Sequence, residues 1–156
     1  MAKIHLQRHM PHSADDLLTM VADVEKYPEF IHLIPAVRIL SREKISGKSE
    51  KFTADVGIKY KLISEQFRSE VLVDREAKTL SIKRAGHGGA VKKLENNWKF
   101  IPQEDSTTLI DFTLNVQLKA LPFEFLIKQK FDKAANYIMN AFENRALEVC
   151  PIVDKD

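Results

Sequence analysis

Five histidines, one cysteine and one short basic run are the side chains with which this 156-residue sequence could do chemistry. His5, His9, His12, His32 and His87 are the potential metal ligands and acid–base groups. His5 and His9 share a strand face but stand about 13 Å apart at about 3.3 Å per residue, too far to hold one zinc ion. Neither a C-x-x-C nor an H-E-x-x-H spacing occurs, so no metal site is expected. A G-x-S-x-G elbow is missing as well, and Cys150 is expected at a frayed chain end rather than beside a base. With no catalytic residue to assign and no cofactor expected, the sequence reads as a binding protein and not as an enzyme.

Arg84, in line with Leu80 and Ile82, is the polar residue that strand parity sends inward. Arginine stays protonated and makes a poor general base, but it donates well to a carbonyl or methoxy oxygen. If the strand ends before it, the side chain sits in water instead, and both placements stay open. The stretch from Lys83 to Lys93 has a Gly-rich tip, with no acidic residue between Glu76 and Glu95. Lys83, His87, Lys92 and Lys93 are therefore candidate contacts for an anionic membrane, worth about 1 kcal/mol each, or for RNA phosphates. A solvated hairpin without a partner is the third possibility. The Gly-x-Gly-Gly run joins two antiparallel strands and opens no helix, so it is no nucleotide fingerprint. A net charge of only +2 argues against DNA binding.

The elements that must position these groups follow from hydrophobic period. Residues 3–9 read as a strand, and Ser13 with Asp16 has the form of a capping box before a helix that buries Ala14, Leu17, Leu18, Val21 and Ala22. Pro28 suits the first turn of a second short helix, Pro28 to Leu33, that Pro35 would end. From 36 to 117 the period is two, giving six strands with turn chemistry at Ser46-Gly47-Lys48, the Gly57 region, Asp74-Arg75-Glu76, the 86–89 glycines and Pro102 to Asp105. Short links imply an antiparallel meander with one buried face. From Pro122 to Glu148 the period becomes helical over about 40 Å. Ile127, Phe131, Ala134, Ala135, Ile138, Met139 and Phe142 form its apolar side. The fold class is α+β, one domain over 1–156, with a long C-terminal helix across a sheet.

Hydrophobic residues at 44% and charged residues at 29% are ordinary for a globular protein. No run approaches the roughly 18 apolar residues of a membrane-spanning helix, and Met1 to His5 lacks a secretion signal, so a cytoplasmic protein is expected. Ala134 and Ala135 leave space between helix and sheet, which a guest molecule or a bulky sheet residue must fill. The candidate ligand wall is Phe30, Leu80, Ile82, Arg84, Trp98, Phe112, Phe131, Ala135, Ile138 and Phe142, although a residue placed like Trp98 is more often plain core. Phe123 and Phe125, at the helix start, are either a movable lip or an anchor.

That order of elements, with Ala22-Asp23-Val24-Glu25-Lys26-Tyr27-Pro28-Glu29-Phe30 and Ala141-Phe142-Glu143-Asn144-Arg145-Ala146, resembles the polyketide cyclase and coenzyme Q-binding branch of the START superfamily. The resemblance runs from about residue 3 to 148. It implies a helix-grip fold whose C-terminal helix crosses a curved sheet over an elongated apolar cavity. It also implies a bound ligand, ubiquinone or a related polyprenyl lipid, in support of respiratory electron transport. Such a ligand requires transient contact with a membrane surface, peripheral to the inner membrane. Bacterial members include a ribosome-association toxin, so the ribosome is the alternative partner, and a polyketide cyclase or aromatase is the third reading. Where many members carry a Trp-Cys pair after the Pro-Glu-Phe segment, this chain has Ile31-His32-Leu33-Ile34.

Overall fold

The computed structural model describes residues 2–60, 63–86, 89, 91–118 and 121–153, and within them the side chains other than those of 2, 60, 63, 118 and 121–130. Chain order is β1 (Ala2–Met10), α1 (Ala14–Ala22), a 3-10 turn (Val24–Glu29), β2 (Ala36–Lys44), β3 (Ser49–Tyr60), β4 (Ile63–Asp74), β5 (Thr79–Ala85), β6 (Val91–Pro102), β7 (Thr108–Leu118) and α2 (Leu121–Val149). The strands form one antiparallel sheet in the order β1-β7-β6-β5-β4-β3-β2. Short links make β2 to β7 a meander, and β1 joins its far edge by pairing with β7, where Leu6 faces Phe112 and Ile4 faces Leu114. Register shifts between Ile39 and Ser41 and between Val91 and Lys93 supply the irregularities that let a sheet bend.

Local chemistry sets the element ends. Ser13 is extended and its hydroxyl accepts from the Asp16 N–H at 3.2 Å, capping α1 as its sequence predicts. The expected second helix at Pro28 to Leu33 lies earlier, as the 3-10 turn. Its cause is that the Lys26 N–H already bonds the Asp23 carbonyl at 3.1 Å, so winding resumes directly after α1. The Tyr27 hydroxyl then donates to the buried Val21 carbonyl, and Phe30, at φ −137°, leaves the helical region. Burial holds the Tyr27 pKa far above its ordinary value, with Asp23 nearby adding to the effect, so the phenol stays a donor. The Gly57 region is no turn either: Val56 and Ile58 keep their alternation through it, and Gly57 pairs with Gln66 inside β3.

The long helix meets the sheet through one aromatic cluster. Phe142, 2% exposed, sets its ring 4.9 Å from Trp98, 5.2 Å from Tyr27 and 5.3 Å from Phe30, all edge-to-face. Arg8 of β1 adds polar links to the same helix, donating to Asn140 at 2.9 Å and Glu143 at 3.2 Å. At this end the core is solid, built from Met10, Leu17, Leu18, Leu80, Phe100, Ile110 and Met139 around the aromatics. A separate small cluster, Phe67 and Val91 with Val56, Ile58, Leu94 and Val116 against it, sits apart from the first.

Cys150 departs from its expected frayed position. It is buried, its thiol donates to the Asp16 carbonyl at 3.6 Å, and the residues after it dock on the β1–α1 link. There the Val153 N–H bonds the Pro11 carbonyl at 2.9 Å and the His12 ring bonds the Pro151 carbonyl at 3.0 Å. Burial, then the charge of Asp16, pushes the Cys150 thiol up to about 11.

Two outcomes follow. Phe142→Ala removes a fully packed ring and should lower the unfolding free energy by about 3–5 kcal/mol in urea titration. Iodoacetamide at pH 8 should modify native Cys150 at least about a hundredfold more slowly than the unfolded chain, because the thiolate is scarcer by that factor before any shielding is counted; equal rates would contradict the packing of the C-terminal segment.

Candidate functional site

Between the two core clusters lies a cavity of about 250 Å³, partly open to solvent, with α2 as its roof and the inner face of the sheet as its floor. The floor comes from residues of six neighbouring strands, β2 to β7, among them Val37, Ala54, Val56, Phe67, Val71, Ile82, Leu94, Trp98, Phe112 and Leu114. Val24, Tyr27, Ile31, Leu33 and Ile34, from the 3-10 turn and the segment after it, close one side. The Lys59 N–H donates to the Leu33 carbonyl at 2.9 Å and holds that segment on β3. In the roof are Phe131, Ala134, Ala135, Ile138 and Phe142, so the paired alanines face the void with no bulky floor residue filling it.

Size limits what fits. An apolar cavity of about 150 Å³ holds a benzene ring, and pockets for drug-sized ligands run to roughly 300–1,000 Å³. The space here takes a ring or a short chain, with anything longer leaving through the open side.

Few polar groups reach the wall, and most are already spoken for. The Trp98 indole N–H donates to Asn96 Oδ1 at 2.7 Å, and Asn96 Nδ2 donates to the Thr113 carbonyl at 2.9 Å. Ser69 gives its hydroxyl to the Ala54 carbonyl at 3.2 Å. Glu65 differs: it lines the cavity, half-buried, and makes no hydrogen bond or ion pair among the described residues.

Of the residues picked from the sequence, Ile82, Trp98, Phe112, Phe131, Ala135, Ile138 and Phe142 share this wall. Leu80 lies deeper in the solid core, 1% exposed. Phe30 stands behind Phe142, under the Arg145 guanidinium at 5.1 Å, while Arg145 also holds Glu29 at 3.1 Å. Arg84 keeps its inward parity opposite Ser69, yet Nε donates to the Val91 carbonyl at 2.7 Å and Nη1 to the Ala85 carbonyl, so it braces the β5–β6 link outside the wall. Lys83, Lys92 and Lys93 are exposed, Lys93 with Glu95 at 3.7 Å. His87 and the side chains of Phe123, Phe125 and Ile127 lie outside the described residues. His5 pairs with Asp111 and His9 with Thr107 at 2.6 Å, on the outer face of the sheet. Glu65, Ser69 and Asn96 went unread in the sequence, although counting by two from Phe67 and Trp98 lands on each.

Residues 10–143 match the family described as polyketide cyclase / dehydrase and lipid transport, and the chain belongs to that family. It is 28% identical over 141 residues to a protein named ribosome association toxin RatA from Rickettsia prowazekii (strain Madrid E), a match covering 90% of this chain and 92% of the relative. Its fold is shared by an aromatase/cyclase from a Streptomyces species, at TM-score 0.78, 14% identity and coverage of 94% and 93% of the two chains. A START superfamily protein from Mycobacterium smegmatis agrees at TM-score 0.77, 19% identity and coverage of 95% and 99%. The helix-grip fold is thereby established. One expectation is overturned: missing catalytic motifs suggested that no enzyme could be at hand, but the family description covers cyclases and dehydrases, and an aromatase/cyclase shares this fold. Those motifs belong to hydrolases and zinc enzymes, so their absence leaves cyclisation chemistry open.

Proposed function

We propose that this protein binds a hydrophobic guest in the cavity between α2 and the sheet. The observation that carries this reading is the split of the core into two clusters by an apolar void roofed by Ala134 and Ala135. Each buried methylene of a guest contributes about 0.8 kcal/mol, so few polar contacts are needed. In its finer form the guest is ubiquinone or a related polyprenyl lipid, with the ring and first carbons inside and the remaining tail outside, collected from a membrane surface. The lipid-transport description of the family supports this form. Among the described residues no helix is long and apolar enough to cross a membrane.

A saturable titration with the headless fluorescent hydrocarbon diphenylhexatriene tests the cavity. Near-stoichiometric binding is expected, and Ala135→Phe, which fills the space, should weaken it at least about tenfold with no loss in the unfolding midpoint. Binding unaffected by that substitution would place the guest elsewhere. For the finer form, organic extraction of purified protein followed by mass spectrometry should recover the quinone in its oxidised or reduced form, and repeated failure with no saturable uptake of either added quinone or added quinol would count against it.

Likeness to the Rickettsia ribosome association toxin favours a second reading, contact with the ribosome through the exposed Lys83, Lys92 and Lys93. Lys92→Glu with Lys93→Glu should reduce co-sedimentation with ribosomal particles in sucrose gradients, more at low than at high salt, and leave the unfolding midpoint unchanged. Wild-type protein that never co-sediments would dismiss this reading.

A further inference from the structure

Resting on the cavity as a ligand site, we propose that Glu65 receives the polar head of the guest and that the site selects amphipathic molecules whose head donates hydrogen bonds. A hydroxyl, phenol or amine is preferred over a ketone, quinone or carboxylate. Glu65 stands on the inner face of β4, two residues from Phe67 and opposite Ile58 in the β3 register, so its neighbours on the floor are apolar. A carboxylate only accepts, and it is costly beside apolar surface unless donors satisfy it. The other polar wall groups already have partners: Tyr27 donates to the Val21 carbonyl, Ser69 to the Ala54 carbonyl, Trp98 to Asn96, and Asn96 to the Thr113 carbonyl. Glu65 is therefore the wall's open hydrogen-bonding side chain among the described residues.

Two neighbours shape its selectivity. Arg84, the cation on the inner face of the adjoining strand, directs Nε and Nη1 at the Val91 and Ala85 carbonyls and lies outside the wall, leaving the cavity an acceptor where sequence parity promised a donor. Gly89, at φ +75°, passes close by: a β-carbon there would stand 3.6 Å from Glu65 Oε2, at ordinary contact distance, so the glycine sets no side chain against that oxygen. Within the quinone class, the reduced quinol, with two donor hydroxyls, is the form that fits, and the oxidised form presents only acceptors to an acceptor.

Displacement of diphenylhexatriene by decan-1-ol, decylamine, decan-2-one and decanoate, on wild type, Glu65→Leu and Glu65→Gln, decides the matter. Wild type should bind the alcohol and the amine about tenfold or more tightly than the ketone and the carboxylate, the strength of a hydrogen bond to a charged group. In Glu65→Leu the alcohol and ketone should fall within about twofold of each other, with diphenylhexatriene affinity unchanged as proof of an intact cavity. Glu65→Gln, whose amide both donates and accepts, should bind alcohol and ketone alike and lose the preference for the amine. A wild-type order with ketone equal to or above alcohol overturns the proposal, as does an alcohol preference that survives Glu65→Leu. Failure of wild type to bind diphenylhexatriene at all is the separate result that removes the cavity reading, and this proposal with it.

Discussion

Phe142 sets how far the long helix stands from the sheet. Its ring is wedged between Trp98 on the floor, Tyr27 of the 3-10 turn and Phe30 just after it, with centroid separations of 4.9 to 5.3 Å. Aromatic rings held edge to face do not compress, and the clamp fixes α2 near its C-terminal half. Two turns earlier the roof is Ala134 and Ala135, too short to reach the floor from a backbone held at that height. The void is thus a consequence of where the large and small side chains fall along one helix.

Polar chemistry in the wall follows a similar economy. Tyr27, Ser69, Asn96 and Trp98 are each bonded to the chain itself, which keeps a wall made partly of polar residues effectively apolar and rigid. Among the described polar residues of the wall, Glu65 breaks the pattern, and it does so beside Gly89. A greasy enclosure with one acceptor at its wall discriminates by what a guest's head can offer, while its capacity is set by volume. That division also accommodates a family described as both cyclase and lipid carrier: the same enclosure can hold a guest passively or hold it in a reactive conformation.

Legibility from the sequence tracked physical strength. Alternation along β6 and β7 and the helical stripe of α2 dictated their faces: Trp98 and Phe112 fell on the predicted side because a register slip would expose both, and Phe131 and Phe142 because the helix has one apolar face. The Ser13 cap was readable because one hydroxyl bonds one N–H three residues on. What could not be read was set by tertiary contact. The Lys26 N–H bonding the Asp23 carbonyl, with Tyr27 then reaching back to Val21, moved a helix that proline rules placed elsewhere. Arg84 has inward parity, but the Val91 and Ala85 carbonyls compete for its donors, and no local pattern reveals that competition. Glu65 and Asn96 are hidden for a different reason: hydrophobic period is carried by apolar residues alone, and the inner face of these strands also holds polar ones.

The claim at the centre of this account is that a guest enters between α2 and the sheet. Methyl-labelled NMR with a bound neutral hydrocarbon tests it most directly. Intermolecular NOEs from the guest to the methyls of Ala135, Ile82, Leu114 and Val116 are expected, with none to Leu17 or Leu18 in the solid cluster. A bound guest whose NOEs reach only surface methyls, or methyl spectra unchanged at saturating guest, would contradict it.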